Sequence, residues 1–103
     1  MRKNQRNPQK NNSMKEYTEP ILVIDETIDL HRTSSWLIEN KIEAFLDAAV
    51  VKHRKRVLII HGIGRGVLRQ ITWNYLSTSP YKSRYYYATR SYGGYGATVV
   101  ELL

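Results

Sequence analysis

The segment His61-Gly62-Ile63-Gly64-Arg65-Gly66 separates an apolar, mostly β-branched run (Val57–Ile60) from a stretch, Val67–Leu76, with helical spacing. A strand that enters a glycine turn and a helix that leaves it place the loop at a helix N-terminus. Free backbone N–H groups and the positive end of the helix dipole favour an anion there. Glycine allows positive φ and brings the backbone close to a ligand with no side chain intervening. The histidine at the head of the loop adds a group that exchanges a proton near neutral pH. Phosphate chemistry is therefore the first functional expectation.

Composition narrows the context of that loop. The 103 residues suffice for one small domain, which buries somewhat more than ~60% of its unfolded surface. There is no cysteine, so disulfides, thiolate metal sites and a Cys nucleophile are excluded, in keeping with a reducing compartment. No apolar run approaches the ~18 residues of a membrane span, and no signal-peptide core precedes the domain, so a cytoplasmic protein without a membrane partner is expected. The net charge of +7 is uneven: Arg2, Lys3, Arg6, Lys10 and Lys15 stand without an acid, whereas residues 16–103 carry a charge of only +2. Residues 1–15, rich in Asn, Gln and Lys, read as a disordered basic tail of the kind that phosphate backbones attract. The domain is assigned to residues 16–103, with order beginning near Pro20.

Thr27–Leu30 alternates polar and apolar residues and reads as a strand closed by His31. Thr33, Ser34 and Ser35 offer N-caps to a helix whose apolar stripe is Leu37, Ile38, Ile42, Phe45, Leu46 and Ala49. It ends near Lys52 in the basic cluster Lys52–Arg56, favourable at the negative end of the dipole. Val57–Ile60 reads as a strand buried on both faces. In the helix after the loop, Val67, Leu68, Ile71 and Tyr75 are expected to face inward. Ser77-Thr78-Ser79-Pro80 ends it. Arg84–Thr89 and Ala97–Leu102 read as two strands joined by a loop with Gly93, Gly94 and Gly96. The β-α-β-α-β-β order implies an α/β two-layer sandwich: a four-stranded mixed sheet with two helices on one face.

Candidate chemistry gathers at the strand ends. Asp29 and His31, two residues apart, point to one side, and His61 ends the next strand. If those strands are parallel neighbours, a carboxylate, two imidazoles and a phosphate cradle converge, a set suited to acid–base attack on a phosphodiester. Arg65 would neutralise charge on the phosphoryl oxygens. The plainer readings are an Asp29 that caps the following helix, histidines that terminate strands, and a glycine turn that merely joins strand to helix. The loop lacks the Gly-Lys-Ser/Thr ending of a nucleotide P-loop and the G-x-G-x-x-G spacing of a dinucleotide site. Asp29, His31 and His61 are too few donors to name a metal, so no cofactor is assigned.

Tyrosine is the other anomaly, with eight in the chain and five between Tyr85 and Tyr95. Exposed rings beside Arg84 and Arg90 are suited to stacking on unpaired bases, against a packing role for Tyr85, Tyr86 or Tyr87 and a loop-shaping role for Tyr92 and Tyr95. Trp36 and Trp73 are read as packing residues.

Three motifs in order carry a resemblance: Ile28-Asp29-Leu30-His31, then His61-Gly62-x-Gly64-x-Gly66, then Gly93-Gly94-x-Gly96-x-Thr98-Val99-Val100-Glu101-Leu102. Together they resemble the small MutS-related (Smr) domain from about Thr27 to Leu102. The resemblance implies the same two-layer sandwich, similar to the C-terminal domain of bacterial translation initiation factor three. It implies nucleic-acid binding, and endonuclease activity that nicks DNA or cleaves RNA, including messenger RNA on stalled ribosomes. It also implies a place at the C-terminal end of a longer protein. The family's aspartate and histidine map onto Asp29 and His31, and its glycine loop onto His61–Gly66. Two positions depart: Arg32 stands where the family usually has glycine, and Ile63 where Lys or Arg is common. The candidate catalytic residues are thus Asp29, His31, His61 and Arg65, and the candidate nucleic-acid contacts Gly62, Gly64, Gly66, Lys52, Arg54 and Arg56. The competing function is a non-catalytic module that docks on nucleic acid or the ribosome with the same loop and basic cluster.

Overall fold

In the computed structural model, residues 22–103 are described. The expected tail over residues 1–15 and the start of order near Pro20 lie outside the described residues. The elements are β1 (Glu26–Asp29), α1 (Ile38–Val51), β2 (Arg56–Ile60), α2 (Val67–Thr78), β3 (Ser83–Tyr87) and β4 (Ala97–Leu102). They form one four-stranded sheet in the order β1-β2-β4-β3. β1 runs parallel to β2, and β4 is antiparallel to both β2 and β3. The β-α-β-α-β-β order and the mixed sheet agree with expectation.

Strand alternation distributes β2 between two apolar layers. Val57 and Ile59 face α1 and α2, where they meet Val100, Leu76 and the α1 stripe Ile38, Ile42, Leu46 and Ala49. Removing each larger aliphatic side chain from water contributes roughly 1.5–3 kcal/mol. Leu58 faces the other way, against Ala88, Ala97 and Val99, and this second layer is covered by Leu22, Ile24 and Tyr92. The Tyr92 hydroxyl donates to the Leu22 carbonyl at 2.7 Å. The Asp25 carboxylate accepts the Lys55 and Arg56 N–H groups at 2.8 and 3.0 Å, holding this segment beside β2. Those two donors keep its carboxyl below the usual carboxylate range.

Several local expectations shift. β1 ends at Asp29 because the chain turns: the Leu30 N–H still reaches the Ile60 carbonyl, but Leu30 O accepts from Thr33 and Arg32 takes φ +69°. Ser34 caps a short 3-10 turn, Ser35–Leu37, with no side-chain bond, and the α-helix begins only at Ile38. β3 spans Ser83–Tyr87, beginning one residue and ending two residues before the expected Arg84–Thr89, and two 3-10 turns (Arg90–Tyr92 and Gly94–Gly96) fill the connection to β4. Val67 is exposed, because α2 turns Thr72 and Leu76 to the core with Leu68, Ile71 and Tyr75 partly buried. Trp36 is 78% exposed rather than packed, whereas Trp73 meets the Tyr85 ring edge-on and lies tilted against Tyr87.

Helix α1 ends in a Schellman turn: Arg54 N–H bonds Ala49 O at 2.9 Å and His53 N–H bonds Val50 O at 3.0 Å. The turn places His53 at φ +60°, where a Cβ is disfavoured. His53→Gly should therefore stabilise the domain by roughly 0.5–1 kcal/mol after the extra unfolded-state entropy of glycine is deducted. Urea denaturation at neutral pH checks this, and an unchanged or lowered midpoint would contradict it.

Candidate functional site

At the end of β1, the Asp29 carboxylate accepts two hydrogen bonds from His31: the backbone N–H at 3.1 Å and the ring Nδ1–H at 2.5 Å. With Nδ1 the donor, Nε2 is the ring nitrogen left without a partner among the described residues. The ring bond first, then the backbone bond, holds the Asp29 carboxyl below the usual carboxylate range, so it is ionised at neutral pH. Both side chains remain about half exposed, at 52% for His31 and 50% for Asp29.

The glycine loop sits directly beside this pair. Gly62 has φ +82°, and a Cβ built on it would stand 3.3 Å from the His31 Cβ, so only glycine brings the two so close. Behind the loop, Gly96 O accepts both the His61 N–H (3.0 Å) and the Gly62 N–H (2.8 Å). A Cβ on Gly96 would meet Ile63 Cγ1 at 3.3 Å and the Gly62 backbone just beyond. All three sequence motifs therefore meet at Gly62. A cleft of about 320 Å³ opens there, lined by His31, Arg32, the loop and the start of α2.

His61 has a different setting from His31. It is only 3% exposed, and both ring nitrogens are engaged: Nδ1 with Gly62 O at 3.0 Å and Nε2 with Thr98 Oγ1 at 2.8 Å. The same Thr98 oxygen accepts the Trp73 indole N–H at 2.8 Å. A carbonyl only accepts and an indole N–H only donates, so the tautomer follows. Nδ1–H donates to Gly62, and the Thr98 hydroxyl donates to an unprotonated Nε2. Burial pushes the imidazole below its ordinary pKa, opposed by the Gly62 bond and reinforced by the charge of Arg69. His61 thus braces the loop from within, and it does not join Asp29 and His31.

The cations fall into two groups. Lys52 and Arg54 pair with Glu26 at 3.0 and 2.9 Å, while Arg56 and Arg84 pair with Glu101 at 3.1 and 3.3 Å. The expected basic cluster therefore lies at the opposite end of β2 from the loop, about 13 Å along a five-residue strand, and its Lys52, Arg54 and Arg56 are engaged by carboxylates within the domain. Arg65, together with Arg32 and Arg69, lies at the loop, and among the described residues none of the three pairs with an acid. The Arg69 guanidinium folds over Gly66, within 2.6 Å of where a Cβ there would stand. Helix α2 has no acid in its first turn and no side-chain cap. The N–H groups of Ile63, Gly64, Arg65, Val67, Leu68 and Arg69 have no acceptor among the described residues. Cations at the positive end of a helix repel the dipole, so this end is unfavourable until an anion arrives. Sequence reading missed Arg32 and Arg69, although the three-residue spacing from Gly66 to Arg69 is the signal that sets one over the other. No group of three or more His, Asp or Glu residues that could hold a metal ion occurs among the described residues. None of their helices is long and apolar enough to cross a membrane.

Comparison with known proteins fits this geometry. The family model described as Smr domain matches residues 28–103. Endonuclease MutS2 of Carboxydothermus hydrogenoformans is 35% identical over 75 residues, covering 73% of this chain and 10% of that protein. Endonuclease MutS2 of Lactobacillus acidophilus is 38% identical over 61 residues, covering 59% of this chain and 8% of that protein. The chain thus spans about a tenth of the curated relatives it matches. The solved Smr domain of Thermus thermophilus MutS2 aligns with a TM-score of 0.72 at 26% identity, over 76% of this chain and 98% of that one. YdaL, a stand-alone small MutS-related protein from Escherichia coli, aligns with a TM-score of 0.69 at 26% identity, over 74% and 63%.

The setting of His61 has a measurable consequence. Its folded pKa lies below the ordinary 6.5, so between those values the unfolded chain binds more protons. Its contribution to stability is therefore complete above pH 6.5 and is lost as the pH falls toward the folded value. The thermal midpoint should drop between pH 7.5 and 5.5, above the range in which Asp25, Glu26, Asp29 and Glu101 titrate. His61→Gln should be less stable at pH 7.5 by about 1–3 kcal/mol but lose less over the same interval. Parallel pH profiles for the two proteins, followed by circular dichroism, check this, and equal losses in both would overturn the setting.

Proposed function

This chain belongs to the Smr domain family, and we propose that it binds nucleic acid at the Gly62–Gly66 loop and cleaves the phosphodiester held there. One observation carries the reading: a carboxylate-oriented, solvent-accessible imidazole packs against a glycine loop whose Ile63, Gly64 and Arg65 amides, with the arginines around it, have no acceptor among the described residues. The loop and α2 amides, with Arg32, Arg65 and Arg69, take the non-bridging phosphoryl oxygens. On RNA, Nε2 of His31 removes the proton from the neighbouring 2′-hydroxyl. That oxygen forms a bond to phosphorus as the bond to the 5′ oxygen breaks, and the proton passes to the leaving oxygen. Asp29 holds the tautomer and offsets the transient charge on the ring. A deoxy substrate requires an activated water in place of the hydroxyl. His61 acts as a positioning residue behind the loop. The short coverage of the MutS2 relatives supports reading residues 16–103 as a module of the kind that longer proteins carry.

The test is cleavage of labelled RNA and DNA with and without chelator. His31→Ala should lower the cleavage rate about 10²–10⁴-fold with binding nearly unchanged, and Asp29→Asn should follow in the same direction. Equal activity in the double variant and the wild type would sink the assignment. Salt-sensitive binding without any cleavage would leave the docking module as the function.

Arg32 supplies a separate check, because its left-handed backbone costs stability while its charge serves the cleft. Arg32→Gly should gain roughly 0.5–1 kcal/mol in folding and lose affinity for oligonucleotide. A gain in stability with unaltered affinity would remove Arg32 from the site.

A further inference from the structure

The tyrosines that sequence reading left undivided separate by their partners. Tyr81 donates to Asp47, Tyr86 to Glu101 and Tyr92 to the Leu22 carbonyl, at 2.6, 2.7 and 2.7 Å. Tyr75 and Tyr85 pack against the α1–α2 core. Tyr87 and Tyr95 remain, with no hydrogen-bond partner for either hydroxyl among the described residues, and Tyr95 is 69% exposed.

The Tyr95 ring is nevertheless held in place. It meets Tyr87 edge-on, with centroids 4.8 Å apart and planes at 81°. Tyr87 in turn lies 5.0 Å from Trp73, whose indole bonds the Thr98 hydroxyl that grips His61. From the other side, Tyr95 sits in the Gly94–Gly96 turn, closed by a 2.9 Å bond from Gly96 N–H to Gly93 O. The next carbonyl, that of Gly96, anchors His61 and Gly62. Two independent routes therefore fix this exposed ring relative to the phosphate cradle. Ile63, 66% exposed, extends the apolar surface, since its side chain lies over Gly96, the neighbour of Tyr95.

We propose that Tyr95, backed by Tyr87 and flanked by Ile63, is a stacking platform for an unpaired nucleobase adjoining the phosphate in the glycine loop. The ligand class is then single-stranded nucleic acid. This inference rests on the nucleic-acid reading above. A rigid π-surface beside a cationic phosphate site is the combination that binds single strands, because every base has a face to offer. In a duplex those faces are covered by neighbouring bases, so the platform has nothing to stack on.

Fluorescence anisotropy with a labelled single strand of about 12 nucleotides, and with a duplex of the same length, tests the assignment. Tyr95→Ala should weaken single-strand binding about tenfold and leave duplex binding within about twofold. Tyr95→Phe should restore it. The salt slope should not change, because the slope counts neutralised phosphates and this ring neutralises none. Circular dichroism and the melting midpoint confirm that the variants are folded. An equal loss on both ligands, no loss on either, or a Phe variant as weak as the Ala variant would overturn the platform. If Arg65→Gln weakens both ligands while Tyr95→Ala weakens neither, the platform alone falls. If the wild type binds neither ligand at low salt, the nucleic-acid reading falls and takes this one with it.

Discussion

One buried hydrogen-bond chain holds the site in register with the sheet: Trp73 to Thr98, Thr98 to His61, and His61 to the Gly62 carbonyl. It joins α2, β4, the end of β2 and the loop. Each member has one consistent direction of donation, and removing the Thr98 hydroxyl at its centre leaves the buried Nε2 of His61 unpaired. The double acceptance by Gly96 O acts in parallel on the backbone side. Loop conformation is therefore set by packing beneath it rather than by a ligand above it. This is the condition for loop amides to be arranged before an anion arrives, when no reorganisation remains to be done at the moment of binding.

Electrostatics divides the molecule along the strand axis. At the end of the sheet where β2 begins, Glu26 and Glu101 absorb Lys52, Arg54, Arg56 and Arg84, and both carboxylates are held below their usual range by these partners and, for Glu101, first by the Tyr86 hydroxyl. At the end where β2 stops, Arg32, Arg65 and Arg69 surround a helix start that carries no acid. Partly exposed ion pairs add little to stability. Their larger consequence is to tie those four side chains to two carboxylates, whereas the three arginines at the loop are left without an acidic partner among the described residues.

Much of the fold was legible because its signals are local. The β-branched run Val57–Ile60 admits little but a buried strand, and the α1 stripe places Ile38, Ile42, Leu46 and Ala49 on one face. The meeting of Asp29, His31 and the loop followed from parallel pairing of β1 with β2. What escaped depends on partners distant in sequence. Nothing near Lys52 or Arg54 announces that Glu26 neutralises them, nor that Glu101 does so for Arg56. Nothing near His61 announces Thr98. A histidine at a strand end reads the same whether it faces a cleft or a core. Trp36 was misplaced for the opposite reason: composition favours burial of tryptophan, but a 3-10 turn ahead of α1 turns it outward. Sequence spacing locates a site better than it assigns the roles within it.

The two departures from the Smr pattern are best understood together. At position 63 the loop tip loses a cation and gains an exposed aliphatic side chain over Gly96. At position 32 the turn after His31 keeps a left-handed backbone although the residue is arginine, at a cost of about 1–2 kcal/mol that glycine would not incur. Strain of this kind persists where surrounding structure enforces it and concentrates at functional sites. Arg32 lines the same cleft as Ile63, so one change removes positive charge from the loop tip and the other adds it to the rim. The loop tip is thereby apolar on the side of Tyr95 and cationic toward Arg32 and Arg65.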